Sequence, residues 1–158
     1  LKGMQQLEGG KDRYAQIRTE LSLFSSFNLN PRLVIANRIG AGYTFGQPGF
    51  YQLLYLGGKE NLRGYRNFRF SGAGMFYHNI ELRLKLFDFT SYLFPGSLGL
   101  IGFNDIGRVW QPEEASEKWH QGYGGGIYLV PAEMLVLTGT LGFSEEETLP
   151  YISVGFQF

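Results

Sequence analysis

The sequence of 158 residues contains no cysteine, which excludes disulfide bonds and thiolate metal sites. Its 14 basic and 14 acidic residues give a net charge of zero, so no long-range field favours nucleic acid, and we expect no nucleic-acid partner. It has no run of about 18 apolar residues, which excludes a transmembrane helix. The 23 glycines and the 16% of aromatic residues point instead to β structure.

Residue patterns that carry chemistry are also scarce. The two histidines, His78 and His120, are not accompanied by other potential metal ligands at a suitable spacing, and no serine fits a Ser–His–Asp arrangement. The run GGKENLRG at 57–64 lacks the Walker pattern, and GYGGGIY at 122–128 lacks the following helix of a dinucleotide fingerprint. We therefore predict no metal, no cofactor and no catalytic residue, and we expect that the chain is not an enzyme.

Helical periodicity is weak, whereas apolar and polar residues alternate through much of the chain. In 75–86 the even-numbered residues are nearly all apolar, and the odd-numbered ones, such as Asn79 and Glu81, are nearly all polar. Residues 1–7 are a candidate stub of a strand. Seven segments of about ten or more residues are predicted to be strands: 14–27, 32–46, 75–88, 97–110, 120–130, 134–144 and 149–158.

The length of these segments distinguishes two kinds of β fold. Strands of globular proteins usually have about 5–6 residues, whereas tilted strands that cross a membrane need about 9–11. Aromatic residues also cluster near the segment ends, as in the interfacial girdles of outer-membrane barrels. The pattern favours an antiparallel transmembrane β-barrel, and a soluble antiparallel sandwich or barrel is the alternative.

Three short motifs follow one another in the second half of the chain. The basic, glycine-rich segment 46–74 contains LRGY at 62–65, and it is followed by NIELR at 79–83 and FNDIG at 103–107. Together they resemble the C-terminal barrel of the outer-membrane protein insertase superfamily, which includes BamA, TamA and the bacterial surface antigen family. The resemblance runs from about residue 51 to 158, and more loosely from residue 14.

The resemblance implies a sixteen-stranded barrel in the bacterial outer membrane. In that family the loop with the RGY motif follows the eleventh strand, folds back into the lumen, and precedes five more strands. Five predicted strands follow 46–74 here, whereas only two clear strands precede it. We therefore expect residues 1–158 to be the C-terminal portion of such a barrel, with about seven of its strands and with 46–74 inserted into the lumen.

The resemblance also places Arg63 inside the barrel, paired with Glu81 and Asp105. The parity of the strands supports this separately, because both acids fall on the polar face. A guanidinium is a planar fork that can bind two carboxylates. Gly64 would allow a tight bend or a close approach, and Tyr65 would pack on the lumen wall. Gly107 belongs to the same motif set. The alternative for Arg63 is a solvated cation in an extracellular loop.

Two further segments have roles that the sequence leaves less defined. Arg66 and Arg69 fit either the lumen or the phosphates of lipopolysaccharide. The end of the chain, YISVGFQF, resembles the signal by which barrels are recognised for insertion, with Gly155, Phe156 and Phe158 as its residues. The acidic run at 144–147 is expected to be a solvated turn.

The expected function follows from the resemblance: assistance in the insertion or translocation of proteins at the outer membrane. The expected partners are outer-membrane lipid and lipopolysaccharide, unfolded or translocating proteins, and envelope accessory proteins. Two alternatives are a barrel that anchors an upstream enzyme domain or serves as its exit, as in patatin-fused members, and a passive porin-like barrel.

Overall fold

A computed structural model describes the chain in eight stretches: residues 2–4, 14–28, 31–46, 49, 52–90, 95–111, 118–132 and 134–156. These residues form ten strands: β1 (Lys2–Met4), β2 (Tyr14–Phe27), β3 (Leu33–Gly46), β4 (Leu54–Leu56), β5 (Phe70–Gly72), β6 (Gly74–Thr90), β7 (Pro95–Trp110), β8 (His120–Pro131), β9 (Leu135–Phe143) and β10 (Thr148–Phe156). None of the described residues forms a helix long and apolar enough to cross a membrane.

Eight of the strands form one antiparallel sheet in the order β1-β2-β3-β6-β7-β8-β9-β10. Each strand therefore pairs with its neighbour along the chain, except that the small hairpin β4–β5 is inserted between β3 and β6. The predicted all-β antiparallel fold with seven long strands is confirmed, and β1 adds a short eighth strand at one end of the sheet.

The two faces of the sheet differ as the alternation predicts. Residues 52–72 pack on one face, which we call the covered face, and there Met75 and Tyr77 are buried. The opposite face, the apolar face, exposes large apolar side chains: Ile17, Leu21, Leu23, Ile39, Leu82, Leu100, Tyr123, Ile127 and Leu141. Such a face suits the hydrocarbon of a lipid bilayer, into which barrel strands direct every second side chain.

Aromatic side chains lie near both ends of β6 on the apolar face. A bulge between Lys85 and Phe87 shifts the register, so Phe87 joins the face of the preceding even-numbered residues. Phe76 and Phe87 are eleven residues apart. At roughly 3.3 Å a residue and a tilt of about 45°, that is a height of about 25 Å, which matches the apolar band of an outer-membrane barrel.

A small hydrophobic core joins the inserted segment to the covered face. Leu54 and Leu56 of β4 are fully buried together with Leu62 in the turn that follows. They pack with Tyr65 and with the inward residues of β6. This core positions residues 57–65 over the middle of the sheet, where the predicted site residues lie.

Candidate functional site

The turn that carries Arg63 is shaped by one asparagine. Asn61 accepts a hydrogen bond from the Gly57 N–H at 2.8 Å and donates to the Tyr55 carbonyl at 3.0 Å. The backbone carbonyl of Asn61 accepts a hydrogen bond from the side-chain amide of Asn79 on β6 at 2.9 Å. The turn is thereby closed on itself and attached to the sheet, so the direction of the next residues is determined.

A second polar contact attaches the same turn to β3. Arg38 donates to the side-chain oxygen of Asn79 at 3.1 Å and to the backbone carbonyl of Glu60. The turn therefore contacts two adjacent strands, β3 and β6, before it reaches Arg63.

Arg63 binds Asp105 of β7 through three hydrogen bonds. Its Nε and Nη2 donate to the two carboxylate oxygens at 2.7 and 2.8 Å, and its backbone N–H donates to Oδ2 at 3.0 Å. This is the forked geometry in which a guanidinium pairs most strongly with a carboxylate. The structure thus brings Arg63 and Asp105 together across 42 residues of chain.

Glu81 of β6 lies on the other side of the guanidinium. Arg63 Nη1 donates to Glu81 Oε2 at 2.5 Å, and Arg83 Nε donates to the other oxygen, Oε1, at 2.7 Å. The ring of Phe103 supports the guanidinium from below, with its centroid 3.7 Å from Arg63 Cζ. Two arginines and two carboxylates therefore balance in charge. We call Arg63, Glu81 and Asp105 the inner cluster.

The inner cluster is largely removed from water. The exposed fractions of the side chains are 14% for Arg63, 16% for Glu81 and 1% for Asp105. Burial by itself would lower the pKa of Arg63, but the hydrogen bonds and charges of Asp105 and Glu81 outweigh it and raise that pKa above its ordinary value. Arg63 therefore stays charged beside the two carboxylates.

Gly64 and Tyr65 have distinct parts in the same stretch. Gly64 has a φ of 94°, a value that residues with a side chain rarely adopt. A Cβ there would lie 2.7 Å from the Phe143 carbonyl oxygen. Tyr65 is only 2% exposed, and its ring packs edge-on against Phe70 and His120. Gly64 thus permits a close approach to β9, and Tyr65 anchors the segment in the small core.

Glycines in the sheet make room for the inserted segment. A Cβ on Gly107 would lie 2.8 Å from a methyl group of Leu56, and one on Gly122 would lie 1.7 Å from the Arg63 carbonyl oxygen. Gly107 was expected from its motif, whereas Gly122 was not assigned to the site. The glycine-rich start of β8 is the signal, since a strand without side chains on one face accommodates another segment of backbone.

A second set of ion pairs was not expected. Three consecutive acids in the β9–β10 turn each contact one cation: Arg66 with Glu147 at 2.8 Å, Arg69 with Glu146 at 2.7 Å, and Lys118 with Glu145 at 2.8 Å. We call these six residues the outer cluster. Arg66 and Arg69, whose partner was left open above, therefore contact protein carboxylates here. The three acids equal the three cations in number, but the members of each pair are 27 to 81 residues apart in the sequence, so the pairing could not be read from it.

The predicted C-terminal signal lies only partly within the described residues. Gly155 and Phe156 belong to β10, where they pair with Val136 and Leu135 of β9. Phe158 lies outside the described residues. The role of these residues in recognition stays a prediction.

Comparison with known proteins finds one match, to a family model that covers almost the whole sequence. The family model of the Omp85 superfamily domain matches residues 2–158. No curated protein and no solved structure gives a significant match.

Proposed function

Because the chain belongs to the Omp85 superfamily, whose domains are outer-membrane β-barrels, we propose that it assists the insertion or translocation of proteins at the outer membrane. In this proposal residues 1–158 supply C-terminal strands of the barrel, and the segment 46–74 lies in the lumen. The inner cluster is a latch that holds this segment on the wall, and no residue described above has a catalytic role.

The observation that carries the proposal is the burial of three charges between one loop residue and two strands. Replacing a buried ion pair by apolar residues is often neutral or stabilising, so such a cluster is a poor device for stability alone. It is a good device for position, because a guanidinium bound by two carboxylates has one geometry. A loop that only covered the sheet could do so through Leu54, Leu56 and Leu62.

The position of the loop supports a role in transport rather than passive covering. It crosses the covered face from β3, near Arg38, to β10, near Tyr151. In a closed barrel that face borders the lumen, so a loop fixed there controls which segments can pass along the wall. Release of the latch would change both the lumen and the contacts of the last strands.

The test compares Arg63→Ala with Arg32→Ala in the full-length protein. Arg32 is an exposed arginine outside the loop, so it is a control for the loss of one positive charge. Removing Arg63 leaves the buried carboxylate of Asp105 without its partner, which costs about 3–5 kcal/mol, or roughly a hundredfold to a few thousandfold in the opening equilibrium. A broad-specificity protease applied to outer-membrane vesicles should cleave between Lys59 and Arg69 far faster in Arg63→Ala only.

Function is measured in cells whose only copy carries the variant. The proposal expects Arg63→Ala to reduce the amount of folded barrel proteins in the outer membrane, and Arg32→Ala to leave it unchanged. Wild-type loop cleavage in Arg63→Ala would refute the latch. A released loop with normal protein insertion and raised ion conductance would favour the passive porin-like barrel instead.

A further inference from the structure

The backbone of residues 63–65 contacts a second part of the sheet, the last hairpin. The Gly64 N–H donates to the phenolic oxygen of Tyr151 on β10 at 2.8 Å. The same hydroxyl donates to the Tyr65 carbonyl at 3.3 Å. Tyr151 therefore accepts from one residue of the loop and donates to the next, so its single hydroxyl is used in both directions.

Ser144, in the β9–β10 turn, binds the same loop residue, Gly64. Its hydroxyl donates to the Gly64 carbonyl at 2.7 Å. It also accepts bonds from the backbone N–H groups of Glu146 and Glu147, each at 3.2 Å. The hydroxyl that shapes the turn is thus the one that contacts the loop, and both polar groups of Gly64 are bonded to the last hairpin.

We propose that residues 63–65 are a brace that fixes strand β10 of the sheet, in addition to binding the loop to β6 and β7. The inference rests on the proposed function, because it makes the latched loop a control of the last strand. Consecutive backbone N–H groups reach different strands: that of Arg63 bonds to Asp105 on β7, and that of Gly64 bonds to Tyr151 on β10. Glycine at position 64 permits the close approach to the last hairpin, since a Cβ there would lie 2.7 Å from the Phe143 carbonyl oxygen.

The contacts of the loop with β10 and its turn add to the backbone pairing of that strand. Within the described residues β10 lies at one end of the sheet and has β9 as its only strand partner. The loop contacts β10 on the covered face, at Tyr151, and it contacts the β9–β10 turn, at Ser144. Release of Arg63 would therefore also loosen β10, because one tripeptide makes both attachments.

The experiment measures amide hydrogen exchange of residues 148–156 in the full-length protein reconstituted in a lipid bilayer. Tyr151→Phe keeps the ring and removes the hydroxyl. Tyr128→Phe is the matched control, since Tyr128 also lies on the covered face, with its ring over Gly99. Tyr151→Phe should exchange roughly fivefold faster in 148–156, and Tyr128→Phe should exchange at the wild-type rate.

Arg63→Ala is the second arm, and it separates this inference from the latch. The brace predicts that Arg63→Ala accelerates exchange in 148–156 as well as cleavage in 59–69. If Arg63→Ala released the loop but neither it nor Tyr151→Phe changed the exchange of 148–156, the brace would be overturned and the latch would stand. If Tyr151→Phe loosened β10 while Arg63→Ala left loop cleavage unchanged, the latch would be overturned and the contact with β10 would stand.

Discussion

The inner cluster and the two arginine pairs of the outer cluster both attach the inserted segment through ion pairs, but the two clusters differ in burial. Their ion pairs have similar lengths, 2.5–2.7 Å in the inner cluster and 2.7–2.8 Å in the outer one. The paired side chains of the inner cluster are 1–16% exposed, whereas those of the outer cluster are 33–74% exposed. Distance alone would rank the two clusters as equals.

Solvent makes the difference between them. Exposed pairs gain little Coulomb energy, lose side-chain entropy and are screened by salt. Buried charges are scarcely screened, and a lost partner leaves the other charge without either water or a counterion. We therefore expect the inner cluster to decide whether the loop stays on the sheet, and the outer cluster to adjust the β9–β10 turn.

The largest effect is expected from Asp105→Asn. Asp105 is the most buried member and accepts three bonds from Arg63, so loss of its charge should cost about 3–5 kcal/mol in loop attachment. Glu81→Gln should cost less, because Glu81 is more exposed. The rate of cleavage between residues 59 and 69 measures both. A greater effect of Glu81→Gln would contradict the ranking by burial.

Gly122→Ala tests the close approach without touching a charge. The added Cβ would lie 1.7 Å from the Arg63 carbonyl oxygen, so the loop must move, at an expected cost of about 1–3 kcal/mol. Gly102→Ala is the control, because a Cβ at Gly102 meets nothing within 4 Å. Loop cleavage should rise in Gly122→Ala and stay at the wild-type rate in Gly102→Ala. Equal rates in the two variants would mean that the loop does not lie on β8.

A change in ionic strength should also distinguish the two clusters, with a smaller effect than the substitutions. Raising the salt concentration screens the outer cluster and scarcely affects the inner one. Exchange of backbone amides in the turn 144–147 should therefore become faster with salt, while cleavage between residues 59 and 63, next to the inner cluster, should change little. A loop that is released by salt as readily as the turn would place the inner cluster in water.

The smallest effect is expected from mild acid. The hydrogen bond to Lys118 and the charge of Lys118 lower the pKa of Glu145 below the ordinary range of a glutamate. A lowered pKa means that the contact stabilises the folded turn above about pH 4.5 and that this contribution is lost as the pH falls through the lower value. Amide exchange at 144–147 should rise in that range. In Glu145→Gln this part of the pH dependence should disappear, and its persistence would assign the effect to another group.

The strands and the inner cluster were accessible from the sequence because both follow the period of two. Parity places Glu81 and Asp105 on one face without any knowledge of the fold. The resemblance of the LRGY motif to the insertase superfamily then implied Arg63 as their partner. Within the described residues the ends of the seven predicted strands differ by at most two residues, because alternation does not determine where a strand frays or is capped. The short strands β4 and β5 within 46–74 were not predicted.

The outer cluster, Gly122 and Tyr151 were not accessible in the same way. Arg69 and Glu146 are 77 residues apart, and nothing in the local pattern joins an exposed arginine to a particular exposed acid. Gly122 leaves room for the backbone carbonyl of Arg63, which comes from a distant part of the sequence. Tyr151 has the parity of the covered face, but parity does not say that a loop backbone lies above its hydroxyl. These contacts depend on the path of the loop across the sheet.

The most direct measurement of the latch is a double-mutant cycle between Arg63 and Asp105, read as the rate of loop cleavage in outer-membrane vesicles. The four proteins are wild type, Arg63→Ala, Asp105→Asn and the double variant. Because both residues belong to one buried pair, the double variant should be cleaved no faster than Arg63→Ala alone. If the two single effects multiplied in the double variant, the residues would act independently, and the account of the loop as latched through this pair would be wrong.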